Sequence, residues 1–578
     1  MQRLFFLLCA LLGYFVLVDA ADKPCMKKEF SEGDSFVCEC SADYCDTVER
    51  HGSFNSHQIL EYTSSQNDSR FLKTVLDMAD KPMEDRVLLI VDSSKEYQSI
   101  LGFGGAFTDS ATMNILNVSS EAQENLLKSY FSTDGIEYNM GRVPIHSCDF
   151  SLSEYSYDEY DGDFDLVNFT LVSEDLDLKI PIIQRAKAMS DHEIKLFASP
   201  WSAPAWMKTN KMMHNGLNQG RLIGQPGEKY YQTWADYFIK FLKEYDALDV
   251  PMWGLTVQNE PTAGLIPFYP WQCMAMEPHT TRDFVKMDLG PALRDNGYGH
   301  LKLMTHDDNL PAILEDTETV MEDTEARNYT SGIALHWYQS DIPSANYSEL
   351  DQIVHHYPEK FILATEACDG YQTLAVPVIL GSWARGEAYS FDIIKDLNHF
   401  VSGWVDWNLA LNMQGGPNWA KNEVDSPIIV DAENDIFYKQ PMFYHMGHFS
   451  KFIPAGSVRV DLGSSSSTSL DMTAFKHPDG TIATVILNRG DSEVPFSMHD
   501  ITKTGYINAI APPRSIKTYL WKFEDIVTTS TPDRSTQQGS FTTKYGGNDG
   551  PGMKMSFSLI IGMVLLCNLV FNLFSTAN

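Results

Sequence analysis

Two stretches limit what this chain can fold into more than any other feature. Met252-Trp-Gly-Leu-Thr-Val-Gln-Asn-Glu260 and Lys360-Phe-Ile-Leu-Ala-Thr-Glu366 are runs of apolar and β-branched residues, each ended by a carboxylate. An unbroken apolar run of this length reads as a strand buried on both faces, the condition of a parallel strand covered by helices. A carboxylate at the C-terminal end of such a strand lies where α/β barrels carry their chemistry. A helix cap or a loop acid would explain either glutamate alone. The matched context of the two is harder to explain that way.

Other strand-like runs share the pattern between residues 100 and 410. They are Leu101 to Phe107, Tyr138 to Ile145, Ile194 to Trp201, Leu301 to Asp308, Gly332 to Tyr338 and Phe400 to Asn408. Helical segments such as Tyr230 to Tyr245 and Thr281 to Arg294 separate them. Alternation of this kind predicts an α/β fold, and about eight strands predict a (β/α)8 TIM barrel over 100–454. Glu366 follows Glu260 by 106 positions. At roughly 30 residues per βα unit that is about three units, which sets the two acids across the barrel mouth from one another. Two carboxylates flanking one cavity are what glycosidic bond cleavage requires, and a separation of about 5 Å would mark a double displacement. Leu101-Gly-Phe-Gly-Gly-Ala-Phe107 looks at first like a dinucleotide fingerprint. Phe107 stands in place of the third glycine, so close backbone packing is the better reading.

Beyond residue 455 helices give way to alternating runs, including Ile482 to Leu487 and Ser515 to Leu520. They predict a β-sandwich of 455–523 paired with 54–99 and interrupted in sequence by the barrel. Residues 524–550 are a polar linker. The apolar run Ser556 to Phe574, within a tail of 551–578, is long enough to span a membrane. No Lys or Arg follows it, and small residues precede it, which favours a GPI-attachment signal over a transmembrane helix.

At the other end, residues 1–20 read as a signal peptide, with Arg3, an apolar Leu4 to Val18 and a small-residue cleavage site at Val18-Asp-Ala20. Passage through the secretory route agrees with the sequons at Asn67, Asn117, Asn168, Asn328 and Asn346. It also permits disulfides in the segment 21–53. Cys25, Cys38, Cys40 and Cys45 allow three pairings, of which 25–38 with 40–45 is preferred; a zinc site lacks histidines at finger spacing. Cys148, Cys273 and Cys368 remain as free thiols. A net charge of −34 excludes nucleic acid as a partner, because a phosphate backbone demands a basic surface.

Several longer motifs then converge. They are Arg142-Val-Pro with Ser147-Cys-Asp-Phe150, Ala198-Ser-Pro-Trp201, Asn259-Glu260-Pro261, Ala334-Leu-His-Trp-Tyr338, Thr365-Glu366-Ala-Cys368, Asp406-Trp407-Asn and Gly415-Gly-Pro-Asn-Trp419. In these the chain resembles glycoside hydrolase family 30, in its glucosylceramidase branch, over residues 25–523. The resemblance implies a retaining β-glucosidase that cleaves glucosylceramide, with Glu260 as acid/base and Glu366 as nucleophile. It implies a sugar site of Arg142, Asp149, Trp201, Asn259, Tyr338, Trp407 and Asn422. His336 matches a family position as well and is read as a buried, hydrogen-bonded histidine. The family needs no metal or other cofactor. Its partners are a glycolipid at a membrane surface, a lipid-presenting activator protein and anionic lipid. The resemblance also implies a small three-stranded antiparallel sheet of the disulfide segment with about 409–440. The apolar tail departs from the resemblance, since such enzymes are usually soluble lumenal proteins, and favours anchoring at a cell-surface or vesicle membrane over a lysosomal lumenal form. Residues 211–227 and 311–318 also depart and are read as reshaping the pocket rim.

Overall fold

The computed structural model describes residues 23–48, 52–216, 220–340, 342–372 and 375–526. The expected signal peptide, the apolar tail and the linker beyond 526 lie outside the described residues. Among the described residues no helix is long and apolar enough to cross a membrane.

Eight strands form a closed barrel: β1 Gly102–Ala106, β2 Met140–Ile145, β3 Lys195–Pro200, β4 Gly254–Thr256, β5 Lys302–Asn309, β6 Thr330–His336, β7 Phe361–Glu366 and β8 Val401–Asn408. Each pairs in parallel with the next, and β8 closes on β1. Glycine at 104 permits the close approach of β1 to β2, because a Cβ there would lie 1.9 Å from the carbonyl oxygen of Met140. The fingerprint-like run is therefore the first barrel strand, shaped by close backbone approach.

Strand periodicity explains how the barrel is filled. Met140, Phe197, Met304, Ala334, Leu363 and Val405, one from each of six strands, form a buried apolar layer. Two residues further along the same strands come Arg142, Ser199, His336, Thr365 and Trp407. Because side chains alternate faces with a period of two, these return to the same interior one layer higher. The polar layer above the apolar plug is the floor of the site described below.

The sandwich is one nine-stranded sheet that curls over its own core. Its order is Ile507–Ala511, Val494–Asp500, Val87–Ser99, Val458–Ser464, Asp471–Lys476, Ile482–Asn488, Ser515–Trp521, Gln58–Ser65 and Leu72–Asp77. Leu89, Val91, Ile486, Phe496 and Trp521 are buried in its core. Strands from before and after the barrel thus share one sheet.

The small sheet differs from expectation. It has five strands, in the order Lys27–Glu29, Phe36–Ser41, Ile436–Lys439, Ile428–Asp431 and Leu411–Asn412, and its last pair is parallel. Two strands are added to the expected three, and one of them is a two-residue edge strand where the chain leaves β8, too short to carry an alternation signal. Disulfides Cys25–Cys38 and Cys40–Cys45 tie the first two strands to their flanking loops. Cys148, Cys273 and Cys368 are free and buried. All five sequon asparagines are exposed.

Helix Trp383–Asn398, packed outside β8, buries Asp392 and Asp396 one turn apart. Asp392 accepts hydrogen bonds from the Tyr347 hydroxyl and the Trp404 indole, each 3.0 Å long. Burial, and then the Asp392 charge, push the Asp396 carboxyl well above its ordinary range, with Lys395 opposing. A carboxyl raised in the folded state stabilises the fold fully below its unfolded value of about 4 and loses that contribution as pH rises through the folded value. Asp396→Asn is therefore expected to raise Tm by about 2 °C at pH 7 and to leave it unchanged below pH 4. Thermal melts across that range check the difference.

Candidate active site

A cavity of about 330 Å³ opens at the C-terminal ends of the barrel strands. Glu260 and Glu366 both line it, with Asp149, Trp201, Asn259, Tyr338, Trp407 and Asn422. Eight of the nine residues expected at the catalytic and sugar sites thus meet in one place. Arg142 does not line the cavity. It is 0% exposed and lies beneath it, because its position on β2 points into the barrel one layer above Met140. Its guanidinium is fully used: it donates to Glu366, to Asn259 at 2.8 Å, to Asp307 at 2.9 Å and to Ser199 at 3.1 Å. It also lies 4.9 Å from the Trp201 ring centre and 5.4 Å from that of Trp407.

Glu366 ends β7, as its strand pattern implies. One oxygen accepts from Arg142 and the other from the Tyr338 hydroxyl at 2.8 Å. Burial raises its carboxyl, and the charges of His336 and Arg142 pull the other way. Both oxygens are held by donors that bind an anion best, so the carboxylate is oriented and its charge is compensated.

Glu260 arrives differently from expectation. β4 ends at Thr256, four residues early, and Glu260 is on the loop that follows. There the chain turns sharply: Glu260 has φ of 41°, its N–H donates to the Asp307 carbonyl, and the Ala263 N–H donates back to the Glu260 carbonyl. Left-handed backbone in a non-glycine residue costs about 1–3 kcal/mol and persists only where the surroundings impose it. Here it turns the side chain into the cavity. The Tyr269 hydroxyl donates to Glu260 Oε2 at 3.2 Å, and His336 Nδ1 faces Oε1 at 3.4 Å.

The centre of this arrangement is a residue that sequence reasoning did not single out. Asp307 is fully buried and accepts from Arg142, from His336 Nε2 at 3.0 Å, from Thr256 at 2.6 Å and from Thr365 at 2.7 Å. Burial alone would raise its carboxyl, but the Arg142 and His336 charges outweigh burial and hold it well below the carboxylate range. Period-two counting from Met304 would turn His306 inward instead. A register shift between His306 and Asp308, with φ of 73° at His306 and 51° at Asp307, moves the pattern by one and brings Asp307 in. Bulges of this kind leave no periodic trace in a sequence, and the acids at the end of Leu301 to Asp308 were the available signal.

His336 is buried and hydrogen-bonded, and it also faces a cavity glutamate. Burial would lower its pKa, but Glu366, Asp307 and Glu260 together raise it to about 10. It is therefore an imidazolium across the acid and neutral range. Two cations, Arg142 and His336, and the anion Asp307 form a dry floor that fixes both cavity glutamates.

The residues expected to bind sugar also line the cavity. Trp201 and Trp407 stack with ring centres 5.1 Å apart. Burial raises the Asp149 carboxyl to about 7, although Asn422 donates to it at 2.9 Å and Asn418 at 3.3 Å. Neutral in acid, it can both donate to and accept from a sugar hydroxyl. Tyr269, Trp271 and Tyr371 also line the cavity, from loops with no strand pattern to reveal them. No ring of three or more metal-ligating side chains appears in the cavity among the described residues; the single such cluster is Cys40, Cys45 and Asp46, in which the two cysteines are already joined.

Comparison with known proteins agrees with this geometry. Residues 100–453 match the glycosyl hydrolase family 30 TIM-barrel domain, and residues 456–519 match the glycosyl hydrolase family 30 beta sandwich domain. The lysosomal acid glucosylceramidase of Mus musculus is 45% identical over 521 residues, covering 89% of this chain and 99% of the mouse protein. Among solved structures, SrfJ from Salmonella typhimurium superposes with a TM-score of 0.73 at 30% identity, over 81% of this chain and 100% of that one. An endo-β1,6-glucanase superposes with a TM-score of 0.69 at 26% identity, over 80% and 99% of the two chains. With barrel and sandwich both matched, and a full-length relative sharing nearly half its residues, this chain belongs to glycosyl hydrolase family 30.

Proposed function

We propose that this chain hydrolyses glucosylceramide to glucose and ceramide with retention at the anomeric carbon. The observation that carries the reading is the unequal treatment of two glutamates in one cavity. Glu366 has both oxygens tied to Arg142 and Tyr338, the setting of a nucleophile held as an anion. Glu260 has only the longer contacts to the Tyr269 hydroxyl at 3.2 Å and His336 Nδ1 at 3.4 Å, and its side chain is 18% exposed, so an incoming water can reach it.

In the first step Glu366 attacks the anomeric carbon while Glu260 gives its proton to the departing ceramide oxygen. A glycosyl ester on Glu366 results. Glu260, now the base, takes a proton from water as that water displaces Glu366, and each residue returns to its starting state. Charge in the oxocarbenium-like transition state is met by the Glu366 carboxylate, and Asp307 keeps Arg142 and His336 from drifting.

Asn259 Oδ1 is occupied by Arg142, which leaves its amide N–H groups for the sugar 2-hydroxyl. Asn259→Ala is expected to lower kcat/KM for a glucoside by about 10²-fold, since that contact strengthens in the transition state. With a 2-deoxyglucoside the variant and the parent enzyme should differ by less than about threefold, because the hydroxyl is missing in both cases.

The aglycone side supports a lipid. Ile266 lines the cavity, and Leu265, Ile266 and Phe268 are exposed on the same loop, Phe268 by 75%. Exposed apolar side chains at a polar pocket's mouth suit acyl chains better than a second sugar. A lipid-presenting activator protein and anionic lipid belong to the same reading, as does a secretory or lysosomal location with the tail as a membrane anchor. Side-by-side hydrolysis of glucosylceramide, a β-1,6-glucan and a xylan tests it. Faster cleavage of either polysaccharide would replace glucosylceramide with that polysaccharide as the substrate.

A further inference from the structure

A second cavity, of about 530 Å³, lies where helix Asp109–Leu116 ends against the small sheet's edge strand Leu411–Asn412. Its volume falls within the range of about 300–1,000 Å³ that takes small ligands. Its walls mix amides, at Asn412, Gln414 and Asn434, with apolar side chains, at Met113, Met413 and Val430. Asp431 and Glu433 add carboxylate acceptors. Amides and carboxylates pair with hydroxyl and acetamide groups, and methionines pack against a sugar ring face or an acetyl methyl.

Asn117 also lines this cavity, and it opens the sequence Asn117-Val-Ser119. It is exposed, and no described residue bonds its side-chain amide. Asn67, Asn168, Asn328 and Asn346 do not line the cavity. We propose that Asn117 carries an N-linked glycan whose first N-acetylglucosamine residues fill this cavity and brace the wall it shares with the catalytic site. In the covalent step the Asn117 amide nitrogen displaces the pyrophosphate of a lipid-linked oligosaccharide at the anomeric carbon and gives up one proton. The inference rests on passage through the secretory route, as proposed above.

Tethering sets the occupant. A sugar attached at the cavity's lip is present at a high effective concentration, so weak contacts suffice to seat it. The shared wall is the loop 412–424. On the glycan side, Asn412 Oδ1 accepts from the Gln414 and Gly416 N–H groups at 3.0 and 2.9 Å, and Asn114 donates to the Gly416 carbonyl at 2.9 Å. Pro417 lines the glycan cavity, and the next residue, Asn418, bonds Asp149 and holds the Asn422 backbone. Asn422 in turn donates to Asp149 in the sugar site. Seating the glycan limits the motion of this loop and so sets the position of Asp149.

The test uses full-length protein secreted from cells and a soluble aryl glucoside. Peptide mapping reads occupancy at each sequon, and peptide N-glycosidase is applied to the folded protein. The Asn117 glycan is expected to be released about tenfold more slowly than that at Asn168, as for a site reached only by local opening. Asn117→Gln and Ser119→Ala both abolish the sequon, and the Ser119 hydroxyl caps no helix N–H. Each is expected to raise KM about fivefold with a smaller change in kcat, at the low end of couplings between sites. Ser119→Thr, which preserves the sequon, and Asn168→Gln should leave KM unchanged. A bare Asn117 beside an occupied Asn168 overturns the proposal, as does equal release at the two sites. If all five sequons are bare, the secretory reading itself fails and takes this one with it. Should both loss variants fail to fold, the native release rates decide.

Discussion

Replacing Glu366 by glutamine is expected to lower kcat by about 10⁴-fold or more, with little change in fold or in affinity for glucose. A loss of that size follows when the group that forms a covalent intermediate is removed. The amide still fills the space between Arg142 and Tyr338, so the cavity keeps its shape. It offers neither the negative charge nor the nucleophilic lone pair that the anomeric carbon needs. Two measurements separate this from a general loss of structure. The variant should melt within a few degrees of the parent enzyme. A mechanism-based glucoside inhibitor should label Glu366 in the parent and nothing in the variant. Labelling at Glu260 would reverse the two roles.

Asp307→Asn is expected to produce the second largest effect, although Asp307 touches no substrate. Asparagine matches the shape but removes the anion shared by Arg142 and His336. Breaking one partner out of a buried ion cluster costs about 3–5 kcal/mol in stability. It should lower kcat/KM by about 10²-fold, the loss expected when reacting groups shift by about 1 Å. The pH dependence distinguishes this from simple destabilisation. In the parent enzyme His336 has its pKa raised to about 10, so its stabilising charge is fully present below its unfolded value near 6.5 and is lost as pH rises through 10. Asp307 is depressed, so its contribution is present above the unfolded carboxylate value near 4 and is lost only as pH falls through its lower folded value. The cluster therefore holds from acid through neutral pH. Without the Asp307 charge His336 loses its proton at lower pH, and the alkaline limb of the kcat/KM profile should move down by about one pH unit or more. An unchanged limb would mean that Asp307 acts through shape alone.

The two glutamates and the barrel were legible in sequence for physical reasons, whereas the tryptophan pair came only through the family resemblance. A strand buried on both faces must be apolar along its length, so Phe361 to Glu366 shows its carboxylate as an abrupt end to a pattern. Long alternating runs such as Ile482–Asn488 disclosed the sandwich in the same way. The missed features have no periodic signal. β4 is three residues long, and Glu260 reaches the cavity through a left-handed turn that its sequence does not announce. The two-residue strand Leu411–Asn412 exists because a neighbouring strand offers it hydrogen bonds. Tyr269, Trp271 and Tyr371 come from loops whose course is set by what they pack against.

Sequence by itself determined the longer elements and placed Glu366 at the end of one of them, because hydrophobic period and strand length are local properties. Tertiary structure alone decided which charges meet. The bulge at His306–Asp308 turned Asp307 rather than His306 into the barrel. Closure of the sheet then brought Arg142, Asp307, His336 and Glu366 from four strands into one dry cluster. In that low-dielectric setting each charge sets the protonation of the others, and this depends on distances of about 3 Å between residues that are 29 and 165 positions apart in the chain.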